Sequence, residues 1–223
     1  MKVVERLRRK NMKKSIILIM VITVLSKFFG LFRDIALTYF YGATNISDIY
    51  LIAQTIPSSL FSIIGAGLAT SFIPLYNRLY KEKGDKEASR FTSNIINVVF
   101  VMITLIIILV LLFTEEFIML YASGFKGAEL SLAVTFTRIS IVGMYFSGII
   151  YILNSYLHMK NNFIVSALLG FPLNFVAILS YAAASKYDNR ILAWGIVLAA
   201  FAQFIILVPA VLKAGFKYKF FID

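Results

Sequence analysis

Residues 95–113 read IINVVFVMITLIIILVLLF, a run with one asparagine, one threonine and no charge. As a helix rising 1.5 Å per residue it is about 28 Å long, which matches a hydrocarbon layer roughly 30 Å thick. A membrane strand alternates between lipid-facing and lumen-facing residues. This run is apolar on every face, so a helix is the form that satisfies its backbone in lipid. Working outward, the same reading places six spans at 15–40, 46–74, 91–113, 130–156, 163–184 and 191–212. The whole composition agrees: the 223 residues are 60% hydrophobic and 15% charged, with a mean hydropathy of +0.85, against about 25% charge in soluble domains. The expectation is an all-α membrane protein, a six-transmembrane-helix bundle forming one domain over 15–212. A basic arm over 1–14 precedes it, and a short tail or linker over 213–223 follows.

The first apolar run begins behind Lys13 and Lys14 as a signal peptide would, but continues well past 15 residues without a small-residue cleavage site, so it reads as a retained span. With no cysteine, disulfides, thiolate metal sites and a cysteine nucleophile are excluded. The net charge of +11 is a property of the loops. Sixteen of the 22 basic residues fall in the arm, the 77–90 connection, the loop at Lys160 and the tail. Only Lys126, Lys186 and Arg190 fall on the other side, and Lys27, Arg33 and Arg138 lie within spans. The positive-inside rule then places both termini of a multi-pass membrane protein in the cytoplasm. The arm and the 78–90 loop lie against anionic membrane lipids on this reading, not against nucleic acid. Tyr39, Tyr41, Tyr121, Tyr187 and Trp194 at the outer ends, and Tyr76, Tyr80, Tyr156 and Tyr218 at the inner ends, read as interfacial anchors.

Charges inside spans are the informative residues, because Lys, Arg or Asp at a helix centre lies about 2.5 to 3.5 kcal/mol uphill. The first span carries Lys27, Arg33 and Asp34 within SKFFGLFRD. Lys27 and Asp34 share a helix face about 10.5 Å apart along the axis, and Lys27 is too deep to reach water cheaply, which favours a polar cavity. Arg33 and Asp34 are close enough to the outer end to snorkel instead. In the second span Asp48, Thr55, Ser59 and Ser62 form one polar stripe, suited either to a neighbouring helix or to a water-filled cavity. Asn45 and Asp48 also resemble a capping box. Pro57 and Pro172 predict kinks. Arg138 reaches either the outer surface or the same cavity, and Asn174 either lines it or bonds a neighbouring helix. The single histidine, His158, has no clustered carboxylate, and no hydrolase or phosphate-loop motif is present, so the chain does not read as an enzyme and no cofactor or metal site is expected.

The stretch SKFFGLFRD, followed by YGATNISDIYLIAQTIPSSLF and SFIPLYNRLYK, resembles the MurJ (MviN) family, the lipid II flippases of the MATE-like superfamily, and NNFIVSALLGFPLN extends the likeness to the fifth span. The resemblance implies the first of two six-helix lobes around a central cavity. It further implies, as substrate and partner, an undecaprenyl-linked sugar pyrophosphate moved between leaflets, and a second lobe from a longer chain or a separate subunit. Carried over by position, Lys27 corresponds to the family's basic residue, Arg33 and Asp34 to its Arg-Asp pair, and Asp48 to its helix-two acid. Thr55, Ser59, Ser62, Arg138 and Asn174 are secondary cavity candidates. The chain departs from the pattern at Phe61 and Ser62, where an arginine pair is common, and at Ala66, where an acid is. Another lipid-linked oligosaccharide flippase, a cation-coupled exporter using Asp34 or Asp48, and a non-transporting half-transporter scaffold are the alternative readings. A coupling ion is not identified by the sequence.

Overall fold

The computed structural model describes residues 2–219, with side chains from Ile16 onward. The side chains of the basic arm, and residues 220–223, lie outside the described residues. All regular structure among the described residues is helical: α1 Lys2–Tyr41, α2 Asn45–Lys83, α3 Asp85–Leu112, α4 Thr114–Tyr121, α5 Ala128–Ser140, α6 Met144–Met159, α7 Ile164–Leu168, α8 Gly170–Ala184 and α9 Arg190–Lys213. Six segments are long and apolar enough to span: Ile16–Tyr41, Asn45–Lys83, Asp85–Leu112, Ala128–Met159, Ile164–Ala184 and Arg190–Lys213. These are the six expected runs, and the chain is a multi-pass membrane protein.

Two spans are compound. A single 3-10 turn, Ile141–Gly143, joins α5 to α6, so Ala128–Met159 crosses as one unit. The fifth span breaks between α7 and α8 at Leu169. Pro172 causes this: it has no N–H to donate to the carbonyl of Leu168, and its ring crowds that same carbonyl. Gln203 of α9 donates to the Leu169 carbonyl (2.9 Å) and supports the backbone at the break.

The turn into α2 differs by one residue from the expected cap. Ser47, not Asp48, holds it: the Thr44 N–H donates to Ser47 Oγ (3.1 Å), and that hydroxyl donates to the Gly42 carbonyl (2.9 Å). Gly42 has φ +58°, a conformation that favours a residue without Cβ. Asn45 is thereby released to donate its side-chain amide to Glu129 of α5. Between 113 and 130, where the sequence suggested no element, the short helix α4 packs on α5.

Burial is organised as two cores stacked along the bundle. One, at the basic end, includes Phe72, Tyr76, Ile103, Tyr156 and Phe216. The other gathers Ile49, Tyr50, Phe136, Tyr181 and Leu192. Tyr41, Tyr76 and Tyr156 therefore differ from the anchor reading: they lie at the expected levels but are buried in the cores, while Tyr39, Tyr187 and Trp194 stand exposed. The outer surface is apolar, with Ile63 73% and Leu112 72% exposed, as lipid-facing positions should be. Helices approach closely at small residues. Gly170 of α8 seats Ser26 of α1, and Gly195 of α9 seats Ser180 of α8.

Candidate functional site

The first span is held from one side. α1 packs on α7 and α8 and meets α2 only weakly. Phe29 sits edge-on to Phe171 (centroids 5.1 Å apart), and Asn174, buried in α8, donates to the Ser26 carbonyl at 3.5 Å. Asn174 thus bonds a neighbouring helix. Its Oδ1 is buried without a hydrogen-bond partner, and its Nδ2 is the side-chain atom that faces Gly30. Every α1 residue from Ile16 to Ala36 is exposed or only partly buried, which leaves the charges of this helix accessible.

The structure separates those charges into two places. Arg33 is folded onto Asp34: its Nε and Nη2 both donate to Asp34 Oδ1, at 3.0 and 2.8 Å. The Arg33 side chain is 25% exposed and that of Asp34 65%, so the guanidinium leans into the bundle and the carboxylate faces out. Arg33 lines a cleft of about 190 Å³ with Tyr50, Gln54 and Ser58 of α2 and Gln203 of α9. At its side the Tyr50 and Tyr181 hydroxyls are hydrogen-bonded to each other (3.0 Å). Ser140, also in the wall, donates to the Ala53 carbonyl (2.7 Å) and ties the fourth span to the second.

Lys27 is exposed and borders a different recess, about 380 Å³, towards the basic end. Its neighbours there include Thr23 and Ser26 of α1, His158 of α6 and Ser166 of α7. His158 Nε2 lies 2.7 Å from Ser166 Oγ, and Ser166 in turn donates to Asn154 Oδ1. Arg33 stands six positions after Lys27, about 9 Å along the axis and roughly 240° around it. The two cations therefore border different recesses along α1 and do not form one clamp within this lobe.

The α2 stripe points away from its neighbours. Asp48, Thr55 and Ser62 are exposed and Ser59 is partly buried. Each hydroxyl donates to its own helix: Thr55 to Leu51 (2.7 Å), Ser59 to Thr55 (2.8 Å) and Ser62 to Ser59 (2.6 Å). Among the described residues no facing helix takes up the stripe. Phe61, one of the departures from the resemblance, is packed inward against Tyr151 (5.8 Å), whose hydroxyl donates to the Gly65 carbonyl. Arg138 stands apart, exposed at the end opposite the basic loops, its Nε donating to Thr114 Oγ1 (3.2 Å).

A family model described as lipid II flippase MurJ matches residues 35–223. The chain belongs to the MurJ family. A probable lipid II flippase MurJ of Buchnera aphidicola subsp. Schizaphis graminum is 29% identical over 210 residues, covering 91% of the chain and 41% of that relative. The lipid II flippase MurJ of Thermosipho africanus is 29% identical over 207 residues, with 92% and 42% covered. A solved structure of lipid II flippase MurJ in an inward closed conformation superposes with a TM-score of 0.78 at 28% identity, over 93% of this chain and 43% of that one. The chain spans about two fifths of the length of these MurJ relatives, and its bundle is the first lobe of the MATE-like two-lobe flippase fold. Tyr50, Tyr181, Gln54 and Gln203 were not among the residues expected at the site. Gln54 and Gln203, as amides inside spans, were the available signal.

Proposed function

We propose that this chain provides the first lobe of a lipid II flippase, which moves an undecaprenyl-pyrophosphate-linked sugar from the inner to the outer leaflet by alternating access. The observation that carries the proposal is the placing of Lys27 and Arg33 at two successive recesses, each with polar side chains in its wall, on an α1 that packs mainly on one side. Both termini are cytoplasmic in this reading, in a bacterial inner membrane, and 15–212 is the membrane lobe. A headgroup entering from the basic end meets Lys27 first. It then meets Arg33, whose guanidinium exchanges Asp34 for a phosphate oxygen. Asp48 and the α2 hydroxyls line the same route, and the polyprenyl tail stays in lipid.

The step needs no cofactor and no covalent chemistry. A second lobe closes the cavity, and rocking of the lobes changes which leaflet reaches it. Each negative charge carried outward moves down an inside-negative potential and releases about 2.3 kcal/mol per 100 mV, so the membrane potential assists. The test is precursor translocation by the complete protein carrying Lys27→Ala and Arg33→Ala together. Loss of translocation with normal expression is expected, and undiminished translocation would overturn the charge role.

A further inference from the structure

After α9 the chain turns back onto the lobe. Residues 216–219 carry no helix and run along the first turns of α3 with alternating sides. Phe216 is buried, and the Tyr218 hydroxyl donates to Asn97 Oδ1 (2.6 Å). Lys217 and Lys219 are exposed, and the Lys219 backbone N–H donates to Ser93 Oγ (3.2 Å). This segment separates two recesses of opposite character. On one side Phe216 and Tyr218 close an apolar groove of about 500 Å³ between α3, α6 and α9, walled by Phe100, Ile149, Leu153 and Phe204. On the other, Lys217 and Lys219 enter a recess of about 810 Å³ with Lys86 and Arg90 of α3. Asp85 and Glu87 also line that recess, but Asp85 is ion-paired with Lys160, which leaves the site net cationic.

An apolar groove within a span, adjoining a cationic recess where the span meets water, matches a molecule with an acyl chain and an anionic headgroup. A free phosphate would leave the groove unfilled, and a zwitterionic lipid would leave the cations without a net counter-charge. We propose that this is a binding site for one anionic glycerophospholipid of the leaflet at the basic end. Its phosphodiester lies among Lys217, Lys219 and Lys86, and an acyl chain lies in the groove. Phe216 and Tyr218 form part of the groove wall, so the lipid clamps residues 216–219 against α3. The site uses neither Lys27 nor Arg33 and is independent of the flippase reading.

The test is native mass spectrometry of the chain in detergent, titrated with dioleoyl phosphatidylglycerol and, in parallel, dioleoyl phosphatidylcholine. Saturable binding of the anionic lipid, at least about tenfold tighter than the zwitterionic one, is expected from about 1 kcal/mol per basic residue near an anionic surface. Lys217→Gln with Lys219→Gln, both at exposed side chains, should weaken it by roughly 10- to 30-fold on the same basis. Dihexanoyl phosphatidylglycerol should bind several-fold more weakly than the dioleoyl lipid, and glycerol phosphate should not compete. Equal binding of the two dioleoyl lipids, an unchanged affinity in the double Gln variant, or full competition by glycerol phosphate would overturn the site. So would loss of binding in Lys27→Ala/Arg33→Ala, which would move the lipid to the α1–α2 face.

Discussion

The contact between α8 and α9 is a quantitative test of how this lobe is packed. A Cβ on Gly195 would fall closer than 3.0 Å to both Oγ and Cβ of Ser180, while the Ser180 Cα remains at 4.0 Å. Rotating the serine hydroxyl relieves only one of the two clashes, so Gly195→Ala forces the helices apart. Overpacking of this kind costs about 1 to 3 kcal/mol. Alanine also gains about 1 kcal/mol over glycine in helix propensity, so the reference is Gly67→Ala in α2, where nothing lies within 4 Å. Relative to Gly67→Ala, Gly195→Ala should melt roughly 2 to 12 °C lower, at about 2 to 4 °C per kcal/mol for a chain of this size. The assay is thermal unfolding of the purified protein in one detergent, followed by tryptophan fluorescence from Trp194. Ser180→Gly should restore the Gly195→Ala protein because it removes both clashing atoms; Ser180→Ala should not, because it keeps the Cβ. Equal melting of Gly195→Ala and Gly67→Ala, or equal rescue by Ser180→Ala and Ser180→Gly, would refute the reasoning.

Four other outcomes follow from the same geometry. Ser140→Ala removes the hydroxyl bond to the Ala53 carbonyl and should cost about 0.6 to 1.7 kcal/mol, seen as a lower melting temperature with the fold retained. Gln203→Leu removes the support at the α7–α8 break and should increase hydrogen exchange at 169–173 more than elsewhere in α8. Arg138→Ala should leave translocation by the complete protein close to wild type, since its partner is Thr114 and not the two recesses. Lys160 loses solvation on burial, which lowers its pKa, but its hydrogen bond to Asp85 with the nearby tyrosines outweighs that loss and holds the pKa above 10.5. A raised lysine pKa stabilises the fold fully below the unfolded value and is lost as pH rises through the folded one. The stability difference between wild type and Lys160→Met should therefore be constant from pH 7 to about 9.5 and shrink above 10.5.

The spans were readable because a hydrophobic run must cross the bilayer, and the loop charges were readable because few basic residues are tolerated elsewhere. Pro172 predicted a disturbance of the fifth span, and the break lies at Leu169 because the proline acts on the carbonyl four residues before it. Tyr76 and Tyr156 misled because an interfacial tyrosine and a core tyrosine at the same depth have the same sequence position; only packing distinguishes them. Lys27 and Arg33 were visible as anomalies in an apolar run. Their division between two recesses depends on which helices α1 packs against, which periodicity does not encode. The Tyr50–Tyr181 pair joins residues 131 positions apart, and the return of Phe216 and Tyr218 onto α3 spans more than 100, so no local pattern signals either.

The hydroxyls of α2 carry one more consequence. Thr55, Ser58, Ser59 and Ser62 each donate to a carbonyl one turn back in their own helix. Their hydrogens are committed internally, and only lone pairs face outward. A surface of this kind leaves no stranded donor when it is dewetted, and it can still accept hydrogen bonds from water or a sugar hydroxyl when flooded. The hydroxyl stretch from 55 to 62, which begins about two turns beyond the charged Asp48, is thus amphibious: it loses less on drying than a face of free donors would, as the proposed mechanism asks of a wall that meets water, cargo and a closing lobe in turn.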